Sequence, residues 1–345
     1  MESSCPTPLG ASDRVLLAHG EGALWSRRLI REVFVRAFGG SEHDPLLDGA
    51  VLPPCDRPIV ATTDSYVISP LFFPGGDIGS LAVHGTLNDL AVMGADPIGL
   101  TSAWILEEGL PLETLRRVVD SMAAAARAAG VRIVAGDTKV VPRGAADGLF
   151  INTTGLGRLR PDARLGPERI APGDRVVVSG TLGDHGIAVL SARSGITFET
   201  EILSDSCNLH PLISDLLDSG LEIRFLRDAT RGGLAAVLHE ITETGSYSIE
   251  IEESRLPVSS QVRGACELLG LDPVHIANEG KFVAVVAEAD AEAVVNRLRA
   301  SAFGRDAAIV GSVIATGPAR VSVRGRFHVV RELDEPTGAP MPRIC

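Results

Sequence analysis

Aromatic side chains make up only 4% of the 345 residues, and lysine occurs just twice among the 32 basic groups. Basic excess is missing too, because 44 acidic residues leave a formal charge of −12. A nucleic-acid surface needs phosphate-neutralising cations and stacking platforms, so that class of partner is excluded. No uninterrupted apolar run approaches the roughly 20 residues that span a bilayer, and the opening MESSCPTPLG lacks the charged-then-apolar order of a signal peptide. A cytoplasmic chain without membrane contact is expected. The five cysteines, Cys5, Cys55, Cys207, Cys266 and Cys345, are odd in number and include no C-x-x-C pair. That argues against a disulfide framework or a thiol-rich zinc site and for free thiols.

What is present is a hydrophobic share of 45% with 37 Gly and 21 Pro, enough to bury two cores. The breaker-rich stretch RLRPDARLGPERIAPGD predicts a first domain over residues 1–165 and a second over 166–330. The ending ELDEPTGAPMPRIC predicts a mobile tail over 331–345. PIVATTD, VRIVAGD, GLFINTTG, DRVVVSG, KFVAVVAEA and AAIVGSVI read as strands. Leu115, Val118, Val119 and Met122, and again Leu234, Val237, Leu238 and Ile241, follow helical spacing that closes at Gly130 and Gly245. The fold class is α/β (α+β).

Residues 78–95 read as a helix whose apolar face is interrupted by Asn88 and Asp89. Either these are buried groups satisfied by backbone, or they face a metal, and the second reading is favoured because Asp is seldom buried unpaired. Asp64 and Asp137 each follow a strand-like run, at ends where α/β sheets build ligand sites. With Asp89 they form a hard oxygen set suited to Mg²⁺ and a nucleotide triphosphate. Glycine-rich turns at 19–23, 73–77, 179–186 and 227–234 are candidate phosphate contacts, though none is a Walker A loop. RDATRGGL is the most informative, since it precedes a helix N-terminus and offers Arg231 as an anion clamp. The two lysines, Lys139 and Lys281, stand where arginine would not serve, each in a motif-like segment, with Glu279 nearby as a proton acceptor. Cys345 does not match a prenylation signal; a thiol on a movable arm suits covalent group transfer.

HGEGA, TTDSYVISPLFFPGGDIG, HGTLNDLAVMGADP, VAGDTKVV, SGTLGDHGIAVL, RDATRGGLAAVLHE, LGLDPVHIANEGKFVAVV and the final PRIC together span nearly the whole chain. In these segments the sequence resembles the HypE family of hydrogenase maturation factors, within the ATP-binding superfamily of aminoimidazole ribonucleotide synthetase. The resemblance implies a two-domain fold, a homodimer pairing through its N-terminal sheets, and ATP held near that interface. It further implies that a carbamoyltransferase loads Cys345 and that ATP drives dehydration of the S-carboxamide to an S-cyanate. The cyanide would then pass to an iron-carrying scaffold complex for nickel-iron hydrogenase.

By motif match, ATP would be held by Asp64, Asn88, Asp89, Asp137, Thr138, Arg231 and Gly232. Asp64, Asp89 and Asp137 would bind Mg²⁺. Lys139 would face the carboxamide oxygen, Glu279 would remove nitrogen protons, and His19 or His185 would relay them. Ala23 departs from the family's early glycine run. Two alternatives remain at this level: a small-molecule kinase or synthetase of the same superfamily, and a non-catalytic thiol carrier.

Overall fold

The computed structural model describes residues 13–21, 24–41, 49–196, 200–243, 247–315, 319–325, 327–335 and 343–345. Ala23 and residues 336–342 of the ending ELDEPTGAPMPRIC lie outside the described residues, as do the expectations placed there.

The first half carries α1 (Leu24–Leu29), β1 (Ile59–Tyr66), the two-residue strands β2 (Phe72–Phe73) and β3 (Gly76–Asp77), α2 (Ile78–Val92), β4 (Ala95–Glu107), α3 (Leu112–Ala128), β5 (Ile133–Val141) and β6 (Leu149–Leu159). Four strands form one sheet in the order β1-β6-β4-β5, antiparallel except for β4 with β5. Strand alternation sends Tyr66, Ile151, Leu100 and Trp104 to one face, where α2 and α3 bury them. Thr63, Ser65, Asn152 and Thr154 share the opposite face and hydrogen-bond to one another, while Ile59 and Ile105 remain 58% and 43% exposed.

The second half supplies β7 (Arg175–Val178), α4 (Asp184–Ser194), α5 (His210–Leu217), β8 (Ile223–Asp228), α6 (Gly233–Glu243), β9 (Tyr247–Glu252), α7 (Ser260–Leu269), β10 (Phe282–Val286), α8 (Ala291–Arg299), β11 (Ala308–Ala315), β12 (Val321–Arg324) and β13 (Val330–Glu332). Its seven strands run β13-β12-β9-β11-β7-β10-β8. Both faces of the centre are covered: Val283 and Val285 pack towards α6, whereas Phe282, Ala284 and Val286 pack towards α5 and α8. This is why KFVAVV reads as an unbroken apolar run.

Two expectations change. Asp64 and Asp137 lie within β1 and β5, not past their ends, because pairing with β6 and β4 carries both strands onward. The ending is also not a free tail where it is described: β13 extends the sheet to Glu332, Leu333 is buried, and Ile344 joins the first core with Cys345 packed against it.

Candidate active site

The site begins with α2. Asp77 caps it by accepting from the Gly79 and Ser80 N–H groups. At Gly85 an added Cβ would lie 2.3 Å from the Tyr66 hydroxyl, so only glycine lets the helix press this closely on β1. That approach sets Asp89, one turn on, beside β1, where it accepts from the Thr62 hydroxyl at 2.5 Å. Asp64 accepts from Thr86 of α2 at 3.1 Å. Asp228, the last residue of β8, completes a group of three aspartates that feel one another's charge. Burial and the Asp89 charge raise Asp64 to about 6; the same two causes raise Asp228 to about 7. Burial also raises Asp89, against its bond from Thr62.

Among the described residues no three His, Cys, Asp or Glu side chains converge tightly enough to cage a metal by themselves. Mg²⁺ seldom needs such a cage: one or two carboxylates suffice when phosphates and water supply the remaining oxygens. Buried aspartates whose mutual repulsion lifts their pKa values fit such an ion.

Asn88 does something other than face this group. Its side chain is buried; Nδ2 donates to the Cys207 and Glu279 carbonyls at 3.0 and 3.2 Å, and Oδ1 accepts from the Leu209 N–H at 2.8 Å. These bonds to backbone make the amide a brace of the site's floor. The same floor holds Lys281, whose ammonium donates to Asp205 at 3.0 Å in a buried ion pair. Asp205 also accepts from the Glu279 and Gly280 N–H groups. Burial would raise its pKa, but Lys281 and His185 hold it below the usual range.

Glu279 thus sits on a braced loop with its carboxyl buried, and its Oε1 has no hydrogen-bond partner among the described residues. Burial, then Asp228, Asp205 and Asp64, push its pKa well up, opposed by Arg231 on the rim. Gly232 and Gly233 turn the chain from β8 into α6 with φ of +77° and +60°, which places Arg231 there.

The tail enters from the other side. Arg343 donates to the Val67 carbonyl at 2.9 Å and pairs with Asp147 at 2.7 Å. Ile344 is buried, and the Val67 N–H donates to the Cys345 carbonyl at 3.0 Å. The thiol is pushed up to about 12 by burial and by Glu279, Asp64 and Asp228, with Arg231 opposing. Cys345, Glu279, Asp64, Asp89, Asp228 and Arg231 therefore share one electrostatic site.

Other expected members are elsewhere in the chain. Asp137 and Lys139 lie on the exposed sheet face and pair with each other at 3.2 Å. Three strand spacings of about 4.8 Å separate β5 from β1, so Asp137 does not join Asp64 and Asp89 within one chain. Thr138 points to the opposite face from both. His19 is buried beside β5, its Nδ1 accepting from the Leu16 N–H at 2.8 Å, and its Nε2 has no partner among the described residues. His185 is fully buried, with one nitrogen on Ser204 and the other on the Ile344 carbonyl, each at 2.8 Å, so neither is free to relay protons. Sequence reasoning passed over Asp228, although it ends a strand-like run just before RGG as Asp64 was thought to end its own.

Residues 47–159 match the AIR synthase related protein N-terminal domain and residues 171–324 the corresponding C-terminal domain. The carbamoyl dehydratase HypE of Cupriavidus necator is 48% identical over 97% of this chain and 95% of its own length. A crystal structure of the hydrogenase maturation protein HypE in complex with ATP superposes with a TM-score of 0.89 at 44% identity, covering 96% of this chain and 99% of that one. A HypE chain solved in a HypE–HypF complex superposes with a TM-score of 0.78 at 46% identity, over 89% and 99%. A thiol-bearing tail inserted among carboxylates, on a scaffold of two AIR synthase related domains shared over nearly its full length with these relatives, places the chain in the carbamoyl dehydratase HypE family.

Proposed function

We propose that the chain uses ATP to dehydrate an S-carboxamide on its own Cys345 to an S-cyanate, for maturation of nickel-iron hydrogenase. The observation that carries this is the docked ending, which delivers the Cys345 thiol to Glu279, Arg231 and the aspartates. Phosphoryl transfer to the carboxamide oxygen turns a poor leaving group into phosphate. Loss of that phosphate with the remaining nitrogen proton leaves the C≡N bond on sulfur, with ADP as the other product.

Asp64, Asp89 and Asp228 would hold Mg²⁺, which supplies charge neutralisation for the triphosphate. Arg231 on the rim suits an anionic oxygen. Glu279 is the base for the nitrogen proton. Burial and the neighbouring carboxylates favour its protonated form, and neutralising those aspartates returns its carboxyl towards the ionised form. Asp137 and Lys139 serve through a homodimer: two copies joined by their open sheet faces would carry this exposed pair to the partner's site, where Lys139 would meet the carboxamide oxygen. A carbamoyltransferase loads Cys345, and an iron-carrying scaffold accepts the cyanide. A similar chain crystallised with HypF, which supports docking of a protein partner on this fold.

The test is the mass of the Cys345 peptide after incubation with carbamoyltransferase and carbamoyl donor. Carbamoylation without ATP, then loss of one water only on ATP addition, is the expected result. Carbamoylation unchanged by ATP would make the chain a carrier; an unmodified thiol in an otherwise active mixture would favour a small-molecule kinase.

A further inference from the structure

Three successive main-chain carbonyls at the end of the chain are each taken by a different donor. Arg193 Nη2 binds the Arg343 carbonyl at 2.5 Å, His185 Nε2 the Ile344 carbonyl at 2.8 Å, and the Val67 N–H the Cys345 carbonyl at 3.0 Å. Arg193 and His185 both belong to α4, eight residues apart, so about two turns separate them on one side of the helix. The ending is thus gripped between the first and last turns of α4 in one domain and the strand end of the other.

The imidazole is held in a single tautomer. The Ile344 carbonyl can only accept, so Nε2 carries the ring proton and Nδ1 accepts from the Ser204 hydroxyl at 2.8 Å, while that oxygen accepts from the Ser206 N–H at 3.1 Å. With Nδ1 accepting, the ring proton sits on Nε2 and points at the Ile344 carbonyl. Burial lowers the pKa of His185 and keeps the ring neutral. The Phe73 ring meets it edge-on at 5.5 Å and fixes its plane. This arrangement reads main chain, so what it specifies is register: a slip of one residue would exchange the buried Ile344 with the reactive Cys345.

We infer that His185 is a positioning residue of the reaction: locked by Ser204, it binds the Ile344 carbonyl and sets the depth at which the Cys345 sulfur enters the site. The inference rests on the reading of Cys345 as the acceptor proposed above. It separates His185 from proton transfer, for which it has no free nitrogen.

The experiment compares His185→Ala, His185→Gln and Ser204→Ala in the full chain by two readouts. One is the rate at which iodoacetamide alkylates Cys345, followed by peptide mass; the other is the single-turnover rate of ATP-driven water loss from pre-carbamoylated Cys345. In His185→Ala, alkylation is expected to quicken about tenfold, as befits loss of one hydrogen bond. Dehydration is expected to slow about 100-fold in the same variant, the cost of a small misplacement of reacting atoms. His185→Gln keeps a donor near the Nε2 position and is expected to restore most of both. Ser204→Ala, which keeps the ring and removes the tautomer lock, should move both readouts the same way by less, and it decides the matter if His185→Ala does not fold.

Equal loss of dehydration in the Ala and Gln variants with unchanged alkylation would assign His185 to proton transfer and overturn the inference. So would wild-type values of both readouts in His185→Ala, or in Ser204→Ala where that variant decides. Failure of the wild-type chain to lose water on ATP addition would instead overturn the proposed function, and a faster alkylation of His185→Ala, reversed in His185→Gln, would still support the grip on the tail.

Discussion

Glu279 and Asp64 show how position gives one functional group different duties. Glu279 is buried, with no partner for Oε1 among the described residues, and in the proposed reaction it is the base. Glu279→Gln keeps shape and removes the base; dehydration should fall by about 10²–10⁴-fold, with carbamoylated Cys345 accumulating in the mass spectrum and ATP affinity little changed. Asp64 and Asp228, at about 6 and about 7, bind protons in the folded chain more tightly than an unfolded carboxylate near 3.8 does. Raised acid pKa values make folding favour the protonated forms, so stability is lost as pH climbs through roughly 4 to 7. Thermal melts of the nucleotide-free chain should therefore show a higher Tm at pH 5 than at pH 8 from this source. Asp64→Asn should raise Tm at pH 8 by about 2–4 °C while weakening Mg²⁺-dependent ATP binding; an unchanged Tm and unchanged affinity would remove Asp64 from the group. Asp89 stands out in the sequence because a carboxylate on an apolar helix face is seldom buried unpaired, Asp64 because it follows a strand-like run, and Glu279 only as the neighbour of the rare Lys281. The two lysines were equally rare and met different fates: Lys281 is buried against Asp205, whereas Lys139 is exposed. Rarity marked both positions and could not separate a structural ion pair from a surface one.

At the scale of elements, the loop through residues 204–209 and the turn Asn278–Lys281 are clasped. At Gly280 an added Cβ would fall 1.9 Å from the Asp205 carbonyl oxygen, a backbone atom that cannot swing aside. Gly280→Ala should therefore separate the two loops, lower Tm and cut dehydration more than 10-fold, since Glu279 is the preceding residue. Wild-type melting and turnover would show that the loops have slack. Helices α2, α3 and α6 and strands β1, β5, β6, β7, β10 and β11 are readable in the sequence, but β4 is not: ADPIGLTSAWILE contains proline and glycine, which normally demote a strand. Here the register shifts between Pro97 and Gly99, so the interruption is absorbed as a bulge and the strand continues to Glu107. The docked ending was likewise hidden, because its low hydrophobicity describes residues 331–345 on average, whereas Leu333 and Ile344 are each buried.

For the whole molecule, the uncovered face of the four-stranded sheet is where Asp137 and Lys139 acquire a purpose in the proposed dimer. Ile105 lies beside Lys139 on β4, 43% exposed. Ile105→Glu should shift the mass measured by light scattering from twice the 36.2 kDa chain to a single chain, with loss of dehydration and no loss of fold. A dimer that persists, or a fully active single chain, would place Lys139 outside the reaction. Within one chain Asp137 stands on β5, three strands across the sheet from Asp64 on β1 and its neighbour Asp89 on α2, and no composition or period reports a contact between copies such as the proposed dimer makes.

Because Val67, His185 and Arg193 hold the ending by its backbone, the carboxamide reaches its site at a concentration the cell does not set. A tethered reactant of this kind presents an effective molarity in the millimolar range or above. Free thiocarboxamides must therefore compete with a group that never diffuses away, and they will be poor substrates and poor inhibitors alike. ATP is left as the only reactant whose supply can set the rate of the chemical step.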